Sequence, residues 1–129
     1  MKAFLLPLIG VAALCGVGTA HAKTDDDAGN CARAAAVLAP TGNKAQQTKD
    51  CACLTPKLRA SLIPDDYAYR AEVNALIAEG TTNVIDFQDE ILGFLQTHYR
   101  TGPSAADAPA RIDKALAAAQ KACGIAPQP

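Results

Sequence analysis

The segment Cys51-Ala52-Cys53 places two cysteines one residue apart in the middle of the chain. One further cysteine lies well upstream, Cys31, and another lies near the end, Cys123. Two covalent links that start from one short segment would tie the first and last parts of the chain to its middle. We therefore interpret Cys51-Ala52-Cys53 as the anchor of the fold.

Residues 1–22 have the pattern of a cleaved signal peptide. Lys2 gives a positive start, residues 3–17 form an apolar run, and residues 20–22 (Ala-His-Ala) match the small-x-small cleavage pattern. The run is too short and too rich in glycine for a stable membrane span. We predict cleavage after residue 22, which would also remove Cys15. The alternative that Cys15 is acylated, as in a lipoprotein, stays open.

Composition narrows the function classes. Removal of 22 residues from the 129-residue chain leaves 107, enough for one domain with a modest core. Without Lys2, 13 acidic residues stand against 11 basic ones and form no basic cluster, which argues against a nucleic-acid partner. The chain has no tryptophan, and its abundant alanine favours helices. The composition resembles that of small periplasmic proteins of high-GC Gram-negative bacteria, so we expect a periplasmic or secreted protein.

Four cysteines remain after cleavage, and an even number in an exported chain predicts disulfides. A bond between Cys51 and Cys53 would close a small strained ring. The other two pairings both link Cys31 and Cys123 to the Cys51-Ala52-Cys53 segment, and the sequence does not separate them. The alternative is a thiolate site that binds a metal ion or exchanges disulfides. We expect structural disulfides and no metal or other cofactor.

Hydrophobic periodicity predicts four main helices and one short helix, and no segment alternates as a strand would. The main helices are expected over residues 27–38, 65–79, 83–100 and 104–122. The short helix is expected to begin at Thr55-Pro56, after an exposed polar loop over residues 43–50.

The predicted fold is an all-α bundle pinned by two disulfides. Cys31 and Cys123 fall on the apolar faces of the first and last helices, so both are expected to point inward. The helix over residues 83–100 has the widest apolar arc, which predicts that it forms the centre of the core. The bundle is expected to fill residues 23–124 as one domain, followed by a loose tail over residues 125–129.

Few residues suggest chemistry. The sequence has no phosphate-binding loop, no zinc-protease motif and no nucleophile elbow, so we expect no catalytic residues. His98, the only histidine after cleavage, is interpreted as donating to a free carbonyl near a helix end. The Asp65-Asp66-Tyr67 cluster and His98 are the candidate interaction residues. Gln88, inside the apolar arc, is expected to be hydrogen-bonded in the core.

These features predict a small exported, non-enzymatic helical protein that binds another protein. An immunity protein, an inhibitor and an accessory subunit would all fit this description. We expect no nucleic-acid partner and no membrane span after cleavage. The alternative function is a periplasmic binder of a metal, a redox partner or a small ligand through the cysteine cluster.

Overall fold

The computed structural model describes residues 26–81, 83–100 and 102–126, and these ranges contain five α-helices and no strand. The helices are α1 (Asp27–Leu38), α2 (Lys44–Ser61), α3 (Pro64–Ala78), α4 (Val84–His98) and α5 (Ala108–Ala122), with a 3-10 turn (Ala105–Asp107) before α5. The prediction of an all-α bundle with two disulfides is confirmed. The predicted signal peptide over residues 1–22, with Cys15, lies outside the described residues, as do residues 127–129.

The two disulfides join Cys31 to Cys51 and Cys53 to Cys123. Both therefore start from the Cys51-Ala52-Cys53 segment, as predicted, and the structure decides between the two open pairings. All of this segment lies within α2. Because residues two apart on an α-helix point about 200° away from each other, Cys51 faces α1 and Cys53 faces α5. Helix α2 is thus fastened on opposite sides to the first and last helices.

Helix α2 corrects two predictions, since one 18-residue helix replaces the expected loop over residues 43–50 and the short helix at Thr55-Pro56. The helix starts at Asn43, whose side-chain oxygen accepts a hydrogen bond from the Gln46 backbone N–H at 3.0 Å. Pro56 lies inside the helix, and the carbonyl that it leaves without a partner belongs to the exposed residue Ala52. The buried apolar residues on both sides of Pro56 keep the helix continuous.

The core lies between α2 and α5. Leu54, Leu58 and Leu62 repeat every four residues along α2 and its C-terminal end, and they pack with Ile112 and Ala119 of α5. Helix α1 packs against α2 and α3, and α3 also contacts α4 and α5. In the predicted tail, Ile125 packs against this same cluster.

The prediction that the helix over residues 83–100 forms the centre of the core is wrong. None of the residues of α4 is buried, and Gln88, expected in the core, is exposed. The apolar arc showed that this helix needs a cover, but a periodic pattern does not say what provides it. Three apolar residues of that arc, Val84, Ile85 and Leu92, stay exposed, and the others are half-buried.

A glycine ends α3. Gly80 has a φ of 78°, and the Thr81 N–H donates to the Leu76 carbonyl at 3.1 Å, which closes the last turn. The chain then turns within five residues into α4. Helix α4 therefore starts at the end of the bundle where α3 finishes.

The disulfides allow a stability prediction. Replacement of Cys53 and Cys123 by alanine should destabilise the fold by about 4 kcal/mol, and replacement of Cys31 and Cys51 by about 3 kcal/mol, because the first bond closes the longer loop. The loops have sequence separations of 70 and 20 residues. Denaturant unfolding of the two double variants and the parent measures both values. A double variant as stable as the parent would contradict the anchoring role of α2.

Candidate functional site

Asp66 is the most deeply buried side chain among the described residues, with 0% of it exposed. Arg111 of α5 donates two hydrogen bonds to it, from Nε to Oδ2 at 2.7 Å and from Nη2 to Oδ1 at 2.9 Å. The Tyr99 hydroxyl donates a third, to Oδ1 at 2.7 Å. The Asp66 carboxylate thus joins α3, α5 and the residue after α4.

These donors stabilise the ionised form of Asp66. The Arg111 bonds lower the pKa of the Asp66 carboxyl below its usual range, with a smaller contribution from Tyr99, and burial opposes them. Burial and the bond to Asp66 in turn raise the pKa of the Tyr99 hydroxyl. The prediction of Asp66 as an interaction residue does not fit this burial, because its oxygens already bind groups of its own domain. We assign Asp66 a structural role.

Tyr67 belongs to a second cluster, which joins the first three helices. Its hydroxyl donates to Asp27 Oδ2 at 2.6 Å, and Arg59 Nη2 donates to the same Asp27 oxygen at 2.9 Å and to the Tyr67 hydroxyl at 3.1 Å. The Arg59 guanidinium lies 5.2 Å from the Tyr67 ring centroid. Burial, followed by the bond to Asp27, raises the pKa of the Tyr67 hydroxyl. The polar end of Tyr67 is therefore engaged within the domain, although the residue also lines a groove.

Asp65 and His98 remain accessible candidates. Asp65 is half-buried in the first turn of α3, where its charge favours the helix dipole. His98 is exposed at the end of α4, and its ring stacks on Phe94 with a centroid distance of 3.8 Å. His98 Nδ1 lies 3.1 Å from the Phe94 carbonyl oxygen. This is the type of hydrogen bond that the sequence predicted, and because a carbonyl oxygen only accepts, Nδ1–H is the donor. The role of both residues in binding stays a prediction.

A groove of about 630 Å³ lies between α3 and α4. Small residues line it from both helices: Ala68, Ala71 and Ala75 from α3, and Gly93 from α4. Phe94, stacked on His98, also lines the groove. Its volume lies within the range of about 300–1,000 Å³ that is typical of binding sites. We call it the α3–α4 groove.

The charged side chains of this groove are acidic. Glu72, Asp89 and Glu90 line it, together with Asp27, and its lining residues include no lysine or arginine. Asp27 is paired with Arg59. The other three carboxylates have no ion-pair or hydrogen-bond partner among the described residues. The groove therefore combines a largely apolar surface with three carboxylates that form no ion pair with the described part of the domain.

The opposite flank of α4 carries three exposed apolar residues, Val84, Ile85 and Leu92, with Gln88 between them. We call these four residues the apolar patch. These four residues fall within about 100° of the helix wheel. Val84 and Ile85 are each 67% exposed, and Leu92 is 54% exposed. Gly93 and Glu90, on the groove side, fall outside that arc. Helix α4 thus presents two different surfaces, one apolar and one acidic.

The four cysteines within the described residues offer no free thiolate, because they all lie in the two disulfides. Within the described ranges, no group of three or more histidine, cysteine or acidic side chains could hold a metal ion. The alternative of a metal or redox binder stays a prediction, and thiol counting on the isolated, denatured protein decides it. None of the described helices has both the length and the apolar character that crossing a membrane requires.

Comparisons of the chain with protein-family models, with curated proteins and with solved structures found no match.

Sequence reasoning did not identify the groove carboxylates or Gly93 as candidates. Ala68, Ala71 and Ala75, which line the groove, carry a signal of their own, because small side chains on one helix face let another helix approach closely. Gly93 could have been identified from its position in the middle of the most strongly patterned helix. Glycine at such a position lowers the stability of the helix by about 1 kcal/mol relative to alanine. The sequence does not mark the acidic residues of the groove as binding residues, because acidic residues are equally common on a helix face that only contacts water.

Asp66 allows a prediction on stability and pH. Asp66→Asn should destabilise the fold by about 2–3 kcal/mol. This loss is small for a broken buried ion pair, because the Arg111 side chain is 29% exposed and water can solvate its charge. A carboxyl with a lowered native pKa stabilises the fold above its unfolded pKa of about 4, and this contribution disappears as the pH falls through the native value. Acidification below about pH 4 should therefore destabilise the parent more than the variant.

The neighbouring variant Asp65→Asn is the matched control and should cost less than about 1 kcal/mol. Denaturant unfolding at several pH values measures all three proteins. Equal stability losses for the two variants, or parallel pH profiles for the parent and Asp66→Asn, would contradict the structural role of Asp66.

Gly93 allows a second prediction. Gly93→Ala should stabilise the fold by about 1 kcal/mol, because a helical glycine is replaced and no atom lies within 4 Å of the new Cβ. Gly80→Ala, at a φ of 78°, should instead destabilise it by about 1 kcal/mol. Thermal unfolding of both variants gives the two signs, and a Gly93→Ala protein that melts below the parent would refute the prediction.

Proposed function

We propose that the chain is an exported, non-enzymatic protein-interaction module, of the immunity, inhibitor or accessory-subunit type. In this proposal the apolar patch of α4 is the surface that contacts the partner protein. The observation that carries the proposal is that α4, the helix with the widest apolar arc, buries none of its residues within its own domain.

The energetic argument starts from the cost of leaving apolar area in water. Each Å² of apolar surface that is removed from water contributes about 25 cal/mol. Val84, Ile85 and Leu92 keep more than half of their surface exposed on one flank of the helix, with Leu92 two turns after Ile85. Contiguous exposed apolar patches with polar surroundings are typical of interaction sites. A partner that covers these three side chains would stabilise the complex without any change in the fold.

The charges beside the patch favour a protein partner over a lipid surface. Helices that bind membrane surfaces carry lysine and arginine on the polar face, because many membranes are anionic. The polar side of α4 instead carries Asp86, Asp89 and Glu90. Anionic headgroups would be repelled there, whereas a protein surface can present neutral or basic groups at the same positions.

The disulfides support export. Two disulfides in a domain of this size are expected where thiols oxidise, outside the cytoplasm. They agree with the predicted signal peptide over residues 1–22. The links to α2 also hold the scaffold rigid while one helix face remains free for binding.

A site-specific crosslink tests the proposal. A photoreactive amino acid at Leu92 should yield a covalent adduct with one other protein when the source cells are irradiated, because this position lies in the contact surface. The same probe at Lys114, exposed on α5, should yield no adduct. Ile85→Lys should abolish the Leu92 adduct, since a charge is placed inside an apolar contact.

The pattern of adducts decides between the outcomes. Adducts of equal yield at both positions, or an adduct unaffected by Ile85→Lys, would contradict the proposed surface. An adduct of twice the chain's own mass would identify a second copy as the partner. No adduct at either position would contradict the interaction function at this patch.

A further inference from the structure

We propose that the α3–α4 groove is a second binding site, and that its ligand is a basic amphipathic helix of a protein partner. This site lies on the flank of α4 opposite the apolar patch. It rests on different residues from the proposed function, so either proposal can fail alone.

The shape of the groove favours a helix. Its lining alternates between two helices and offers alanine at three positions of α3 and glycine at one position of α4. Small side chains let the backbone of a third helix approach closely, and an amphipathic helix that lies in such a groove is a common recognition mode. The groove, about 630 Å³, has room for the few side chains that one face of such a helix presents over two turns.

Gly93 gives an independent reason to expect an occupant. A glycine in the middle of a 15-residue helix lowers stability, and its missing side chain permits a close approach by another group. Here no other part of the domain comes within 4 Å of the position of a Cβ atom at Gly93. The domain itself therefore gives no reason for this glycine, and a chain that enters the groove from outside would give one.

The carboxylates of the groove determine the sign of the charge that its ligand must carry. Glu72 lies on α3, and Asp89 and Glu90 lie on α4, so carboxylates line the groove from both helices. None of the three has a partner among the described residues. A helix with lysine or arginine beside its apolar face would pair with both helices at once, while an acidic helix would be repelled. The Phe94–His98 stack adds an aromatic surface on which an arginine could pack.

Peptide binding tests this proposal with the oxidised full chain. The probe is a fluorescent 14-residue helical peptide made of leucine and lysine, and the matched control peptide has glutamate in place of lysine. We expect the lysine peptide to bind saturably and to weaken as salt rises, whereas the glutamate peptide should not bind. Fluorescence anisotropy gives both affinities.

Two variants locate the site. The triple variant Glu72→Gln, Asp89→Asn, Glu90→Gln should weaken binding of the lysine peptide about tenfold, the combined effect of three exposed ion pairs. A control triple variant, Asp50→Asn, Asp107→Asn, Asp113→Asn, removes the same charge elsewhere and should change affinity by less than about twofold. Equal losses in the two triple variants would overturn the proposal, since the attraction would then depend only on net charge.

Gly93→Leu tests the shape requirement. The new Cβ meets no atom within 4 Å and the rest of the side chain occupies part of the groove, so the variant should stay folded and should lose binding of the lysine peptide. Undiminished binding by a folded Gly93→Leu protein would overturn the proposal. Light scattering tests whether a second copy of the chain occupies the groove instead. A parent dimer that Gly93→Leu converts to a monomer would show this and would also overturn the proposal.

Discussion

The structure depends on the two disulfides that leave α2 in opposite directions. Because Cys51 and Cys53 are two residues apart on one helix, one bond reaches α1 and the other reaches α5. Helix α2 is therefore held between the first and last helices, and its leucines pack on α5. In a domain this small, two such links supply stability that a thin apolar core does not.

Two buried carboxylates attach α3 to this frame. Asp27 of α1 receives bonds from Arg59 and Tyr67, and Asp66 of α3 receives bonds from Arg111 and Tyr99. Each cluster satisfies its carboxylate with a cationic group and a hydroxyl, which is what makes burial of the charge tolerable. Through Tyr99, the Asp66 cluster also fixes the end of α4. That helix is thus positioned by its C-terminal end and its contacts with α3, and both of its flanks remain available for binding.

Much of the fold could be predicted from the sequence, but less of the candidate site. The all-α class, the ends of α1, the glycine after α3 and the involvement of all four cysteines follow from local patterns. The start of α2 at Asn43 was missed because polar residues in an exposed helix look like a loop, and Pro56 looked like a helix start. The burial of Asp66 does not follow from the sequence, because an Asp-Asp-Tyr cluster shows charge and not burial. The groove required the relative placement of α3 and α4, which no local pattern contains.

The sequence by itself determined the all-α class, the ends of α1 and the inward faces on which Cys31 and Cys123 lie, because these features depend on periodicity within one segment. Only the tertiary structure decided which sulfur bonds to which, since this depends on which sides of α2 the other helices occupy. It also decided that α2 and α5, and not α4, form the core. An apolar arc indicates that a helix face favours burial, and only the packing of the whole chain shows that on α4 three residues of this arc, Val84, Ile85 and Leu92, stay exposed.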